Sequence, residues 1–188
     1  MLLCMEQVHP SLIATGASGA ESVAFRPKKI VSGAQTGADR AALDVARQLG
    51  LPHGGWVPLG RWAEDGPVEA CYDLTETPSG QPEQRTHWNV RDSDATVVLS
   101  RGRLTGGSAL TARIAQRLGK PVLTLNLRRM SRAEARERLA DFLAEHQPAV
   151  LNVAGPRASN DPRIYAVVAE LLLAVLGPTQ AAPANPAP

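Results

Sequence analysis

Two short stretches carry residue types and spacings suited to holding an anion. "SGAQTG" (32–37) sets Ser32, Gly33, Gln35, Thr36 and Gly37 directly after an apolar run. "GGSALT" (106–111) sets Gly106, Gly107, Ser108 and Thr111 at the start of a helical pattern. A glycine turn that opens a helix presents unpaired backbone N–H groups and the positive end of the helix dipole, a ready place for a phosphate. Glycine lets the backbone come close to such a group, and the hydroxyls of Ser108 and Thr111 add donors. Neither stretch is the GxxxxGK[ST] phosphate loop, and neither is GxGxxG. Without a lysine in the turn, nucleoside triphosphate hydrolysis of the Walker type is not expected. A structural explanation stands beside the functional one. Thr36 with Asp39 fits a capping box, and Ser108 suits an N-cap. A carboxylate at Asp39 repels phosphate unless it holds ribose hydroxyls, Mg²⁺ or the neighbouring Arg40, and the capping role avoids that conflict.

The elements that position these turns are legible from hydrophobic pattern. "KIVS" (29–32), "ATVVLS" (95–100), "PVLTLN" (121–126) and "AVLNV" (149–153) are continuous apolar runs, the mark of parallel strands covered on both faces. "GGWVP" (54–58) is a fifth candidate. Helical spacing places Ala42, Leu43, Ala46 and Leu49 on one face, then Leu110, Ile114 and Leu118, then Ala135, Leu139, Phe142 and Leu143. Ser131 with Glu134 predicts a capping box for the last of these. A final helix is expected to start at Asp161-Pro162 and is apolar nearly all round, from Ile164 to Leu176. That pattern fits either burial within one subunit or a homo-oligomer interface. Alternation of strand and helix predicts an α/β fold: a single Rossmann-like domain over 28–176, with a mainly parallel sheet of about five strands and helices on both faces. Residues 1–27 read as a flexible leader and 177–188 as a disordered Pro- and Ala-rich tail.

In such a sheet, ligands sit at the carboxyl ends of the strands. Those ends here carry small or polar residues, including Ser32, Asn126, and the run Asn152-Val153-Ala154-Gly155-Pro156-Arg157. Residues 53–93 lack a lasting period, and a structureless stretch of that length is either functional or a failed assignment. Four of the chain's seven Phe, Trp and Tyr residues lie there: Trp56, Trp62, Tyr72 and Trp88. They suit either stacking on a flat ring or plugging a small core. Arg61, Arg85 and the pair Glu64-Asp65 supply charge.

The net charge of +2 in 188 residues gives no reason to expect nucleic acid as a partner. The chain has 17 Arg against three Lys, a bias in which placement matters more than number. Two cysteines, Cys4 and Cys71, make no disulfide framework. No catalytic triad or zinc spacing is present, so no metal site is expected. No signal peptide or membrane span is read, and a cytoplasmic protein is the expectation.

Taken in order, "IVSGAQTGADRAALDVA", "LGLPHGGWVPLGRWAEDG", "RTHWNVRDSDATVVLS", "LTGGSALT", "KPVLTLNL" and "LNVAGPRAS" resemble the family named putative molybdenum-cofactor carriers, a circularly permuted YpsA-like branch of the SLOG superfamily. The resemblance implies a Rossmann-like fold and relatedness to the LOG phosphoribohydrolases. It implicates Gly33, Gln35, Thr36, Gly37, Asp39, Arg40, Gly55, Trp56, Glu64, Asp65, Gly66, Arg85, Thr86, Asn89, Gly106, Gly107, Ser108, Thr111, Asn152, Gly155 and Arg157. Three positions depart from the family pattern. Ala34 stands where a glycine is usual, Ser108 where a threonine is usual, and Pro82 where a tyrosine is usual. The LOG enzymes carry a glutamate one turn after their glycine turn, whereas "GGSALTARIAQRLG" has no carboxylate and puts Arg113 near that place.

The expected function is binding, as carrier or sensor, of a small phosphate-bearing cofactor or nucleotide-like ligand. The family label points to molybdenum cofactor, a pterin with a phosphate. The alternative is a nucleoside-monophosphate N-glycosidase, for which Asp39, Glu64 or Asp65 must activate water.

Overall fold

The computed structural model describes residues 25–178. The leader and tail expected at 1–27 and 177–188 therefore lie outside the described residues, apart from 25–27 and 177–178.

Six parallel strands form one sheet: β1 (Lys29–Val31), β2 (His53–Val57), β5 (Leu74–Glu76), β6 (Ala95–Ser100), β7 (Val122–Asn126) and β8 (Val150–Ala154). Their spatial order is β5-β2-β1-β8-β6-β7. A two-stranded antiparallel hairpin, β3 (Trp62–Ala63) and β4 (Gly66–Pro67), stands apart from it. β6 is buried at all six positions, which is why it reads as an unbroken apolar run. The sheet has one strand more than the five expected; β5, a three-residue edge strand, supplies it.

Helices α1 (Ala38–Gln48), α4 (Arg132–His146) and α5 (Ile164–Leu176) cover one face, while α2 (Pro82–Arg91) and α3 (Gly106–Arg117) cover the other. The larger core lies under α1, α4 and α5 and includes Ile30, Leu99, Leu125, Leu139, Leu143, Leu151, Ile164 and Leu172. A smaller one joins Val90 of α2 to Ile114 and Ala115 of α3. The result is a single Rossmann-like domain.

Several local expectations are corrected. The segment 53–93 is not irregular: it holds β2, the hairpin, β5 and α2. Pro82 is the first residue of α2, where its missing N–H costs nothing. The Thr36–Asp39 capping box does not form, because the N-cap of α1 is Gly37, at φ 79°. Helix α3 begins at Gly106, with Thr105 at its N-cap, so Ser108 lies inside the first turn. The Ser131 cap of α4 does form, its hydroxyl accepting from the Glu134 N–H at 3.1 Å. Regular helix α5 starts at Ile164. Asp161 instead accepts the Arg163 N–H at 3.1 Å and the Arg101 guanidinium at 2.9 Å. Within the protomer α5 packs against α1 and α4, which buries Ile164, Val168, Leu171, Leu172, Val175 and Leu176. That intramolecular packing accounts for most of its apolar surface.

Candidate functional site

A cavity of about 600 Å³ opens at the carboxyl ends of β1, β8, β6 and β7. This is where strand order changes direction: from β1 the chain winds outward to β2 and β5, then crosses to β6 and β7 on the other side. Among the residues expected at a site, the cavity is lined by Gln35, Asp39, Arg85, Thr86, Gly106, Gly107, Ser108, Thr111, Gly155 and Arg157.

The second glycine turn keeps its open side. A Cβ added at Gly106 or Gly107 meets no atom within 4 Å, so backbone there faces space. Their N–H groups and that of Ser108 precede the first α3 hydrogen bonds. Ser108 is only 6% exposed, lines the cavity, and its hydroxyl has no hydrogen-bond partner among the described residues. The hydroxyls of Thr111 and Thr86 are already donated, to Gly107 O and Pro82 O, each at 2.9 Å.

Gln35 is oriented from behind. Its Oε1 accepts the Thr36 N–H at 3.0 Å and the Glu64 N–H at 2.9 Å. That leaves its Nε2 group, unpartnered among the described residues, as the end offered to a ligand. Glu64, from the hairpin, accepts from the Thr36 hydroxyl, from the Ser159 N–H at 3.1 Å and from the Ser159 hydroxyl at 2.5 Å. Arg157 stands 3.8 Å away. Burial alone raises the Glu64 carboxyl, but the bonds from Ser159 and Thr36, helped by Arg157, outweigh it and hold the group below its usual range.

The first glycine turn is filled by the protein itself. A Cβ at Gly33 falls 1.6 Å from Nη1 of Arg85, so the guanidinium occupies the space a side chain would need. Gly37 lies against Pro156 O and the Ala158 N–H, and Gly155 against Ala38 and Leu99 O. Ala34 is at φ 55°, in the left-handed region that favours glycine. The expectation of two open glycine turns facing one another is thus corrected: only the α3 turn is open.

Arg85 pairs with Asp39 at 3.3 Å. Asp39 is 3% exposed. Burial pushes its carboxyl above the ordinary value, opposed by Arg85 and by the backbone of Gln35 and Gly155. Of the three candidate carboxylates for catalysis, only Asp39 lines the cavity, and it is held by these groups. Asp65 pairs with Arg40 at 3.3 Å, and Arg40 also donates to Ala34 O.

The other expected residues lie outside the cavity. Ser32 donates to Val153 O at 2.6 Å, and Asn152 to the Thr96 hydroxyl at 3.3 Å. Asn89 bridges the backbone N–H and C=O of Trp56, and Gly55 packs against Ser32 O. Trp56 and Trp88 meet edge to face at 4.6 Å, and Arg91 covers Trp88. Neither ring lines the cavity, so the stacking role expected of them is not supported. Sequence reading missed Arg101, Arg103, Arg128, Asn160, Asp161 and Arg163, all of which line it. The pair Arg101 and Arg103 directly after the β6 run was the available signal. Among the described residues, no three His, Cys, Asp or Glu side chains are grouped to hold a metal ion.

An open parallel sheet with a polar, arginine-rich cleft at its carboxyl edge defines a Rossmann-like fold. More narrowly, the chain belongs to the circularly permutated YpsA SLOG family, whose model matches residues 30–176. It is 47% identical to a protein from Syntrophus aciditrophicus SB known from a crystal structure under the name "Putative molybdenum carrier protein". The TM-score is 0.78, and the match covers 81% of this chain and 96% of that one. No curated protein matches the chain. No helix among the described residues is long and apolar enough to cross a membrane.

Proposed function

We propose that this protein binds a small phosphate-bearing cofactor or nucleotide-like ligand in the cavity. One observation carries the reading: the Ser108 hydroxyl, the Gln35 Nε2 group and the buried Nε of Arg85 lack partners among the described residues, and all three residues line the same cavity as the open α3 N-terminus. Buried polar groups in native proteins are nearly always hydrogen-bonded. Such a set of donors calls for an acceptor-rich, anionic ligand group. The cavity volume falls within the ~300–1,000 Å³ usual for small-molecule sites. The name of the Syntrophus relative directs the choice toward a molybdenum-bearing cofactor as cargo. The engagement of Asp39, Glu64 and Asp65 by other groups favours holding a ligand over hydrolysing one.

Calorimetric titration of the purified chain with inorganic phosphate, molybdate, AMP and a pterin monophosphate tests this. Binding of a phosphate-bearing compound at sub-millimolar concentration, lost in Ser108→Asp, is the expected result. Binding of molybdate alone moves the assignment to a free oxyanion. No binding by any of the four refutes the proposal.

A further inference from the structure

Resting on that reading, we infer that the ligand carries a second anionic group, received by Arg128 and Arg163 together with Arg103, which precedes the α3 turn by three residues. The cavity's other arginines are already matched to carboxylates. Arg85 pairs with Asp39 at 3.3 Å, Arg101 with Asp161 at 2.9 Å, and Arg157 faces Glu64 at 3.8 Å. Arg103, Arg128 and Arg163 line the same cavity, and none has a carboxylate partner among the described residues.

The places of Arg128 and Arg163 in the fold separate those two from the first anion group. Arg128 follows β7 by two residues, and Arg163 is the N-cap of α5, so both belong to the layer of α4 and α5. The α3 N-terminus and Arg85 belong to the opposite layer. From Gln35 past β1 to Arg128 past β7 is three strand spacings, about 14 Å at the usual inter-strand distance. A single phosphate carries at most about two negative charges, fewer than the three unpaired arginines and the positive α3 N-terminus of one cavity call for together. Three unpaired cations around one opening repel each other, and guanidinium groups match the oxygens of phosphate or carboxylate in pairs. The Arg101–Asp161 ion pair ties the loop after β6 to the loop after β8, and Asp161 also fixes the backbone of Arg163. The ligand class is therefore a molecule with two phosphate-type groups.

The test compares fructose 6-phosphate with fructose 1,6-bisphosphate, which differ only in the second group, at physiological salt so that bulk steering is screened. The wild-type chain should bind the bisphosphate at least tenfold more tightly. Arg128→Ala/Arg163→Ala should remove that preference while leaving the monophosphate affinity unchanged. A control pair, Arg117→Ala/Arg136→Ala, removes equal charge away from the cavity and should preserve the preference. Equal affinity for the two sugars, or equal weakening of both by the Arg128/Arg163 change, overturns the second group while leaving the cavity's first anion site standing. If neither sugar binds, this inference is overturned; if inorganic phosphate, molybdate, AMP and the pterin monophosphate also fail to bind, the functional reading falls with it.

Discussion

Glu64 fastens the β3–β4 hairpin, whose Ala63 also packs with Ala34, Leu43 and Val57, to the loops around the cavity, and Glu64→Ala isolates that fastening. The carboxylate accepts three hydrogen bonds, from the Thr36 hydroxyl and from the N–H and hydroxyl of Ser159. At a net contribution of roughly 1 kcal/mol each, they are worth about 3 kcal/mol. Discounted by about a third because the two Ser159 bonds are exposed, that leaves about 2 kcal/mol, or a factor of about 30 in the equilibrium between docked and undocked hairpin. Hydrogen–deuterium exchange should show that acceleration at the amides of Glu64, Ala158 and Ser159, with β6 unchanged. Glu64→Gln retains an acceptor for Thr36 and should lose about half as much. The pH dependence follows in sign. The folded carboxyl lies below its ordinary value of 4.5, so its stabilisation is complete above 4.5 and is lost as pH falls through the lower folded value. Wild type should lose protection in that acidic window, and Glu64→Gln should not show the same step. Unchanged hairpin exchange in Glu64→Ala, or equal acceleration in β6, would refute the fastening.

Three further outcomes are expected. Gly33→Ala drives a methyl into the Arg85 guanidinium and should cost about 1–3 kcal/mol in denaturant unfolding. Adding Arg85→Ala should then cost less than the sum of the two single changes, and strict additivity would show that the two residues do not compete for space. Ser108→Ala should leave stability within about 0.5 kcal/mol and weaken phosphate-ligand binding roughly five- to tenfold; unchanged affinity in calorimetry removes Ser108 from the donor set. Tyr72 and Tyr165, the chain's two tyrosines, both donate to Asp44, at 2.7 and 2.8 Å. Burial, then Asp44, pushes each up to about 12 from 10.0. Their stabilisation is complete below pH 10 and lost as pH rises toward about 12. Tyrosinate absorbance should therefore appear near 12 in wild type and nearer 10 in Asp44→Asn, and a common onset would contradict the shared hydrogen bonding.

Strands β1, β6 and β8 were legible because burial on both faces writes an unbroken apolar run, and β7 because its sequence is largely apolar although it is an edge strand with only Leu125 buried. Helix α2 was not, because its buried residues are Thr86, Asn89 and Val90. Two of the three are polar and hydrogen-bonded to backbone, so no hydrophobic period marks the helix. β5 was hidden by its length and by its edge position, where only Leu74 turns partly inward. At the site, the rule that ligands sit at strand ends pointed to Gln35 and the α3 turn, both of which line the cavity. It could not show that Gly33 is filled by an arginine 52 residues away in sequence, since that contact exists only once α2 docks. Arg128 and Arg163 were unreadable for a related reason. In a chain with 17 Arg against three Lys, a single arginine carries little signal until topology brings its loop to others.

The position of β8 has a consequence for how the molecule comes into being. β8 is the last strand in the chain, yet it lies between β1 and β6, pairing Lys29 with Val150 on one side and Ala95 with Leu151 on the other. During synthesis, the segment β5-β2-β1 and the segment β6-β7 have no strand between them until residues 150–154 emerge. The cavity straddles that same seam. A nascent chain therefore cannot present the binding cleft early, and long-range parallel pairing of this kind is slow. A ligand of the proposed kind would bind only the completed fold and favour it by mass action, so its capture would double as a check that folding has finished.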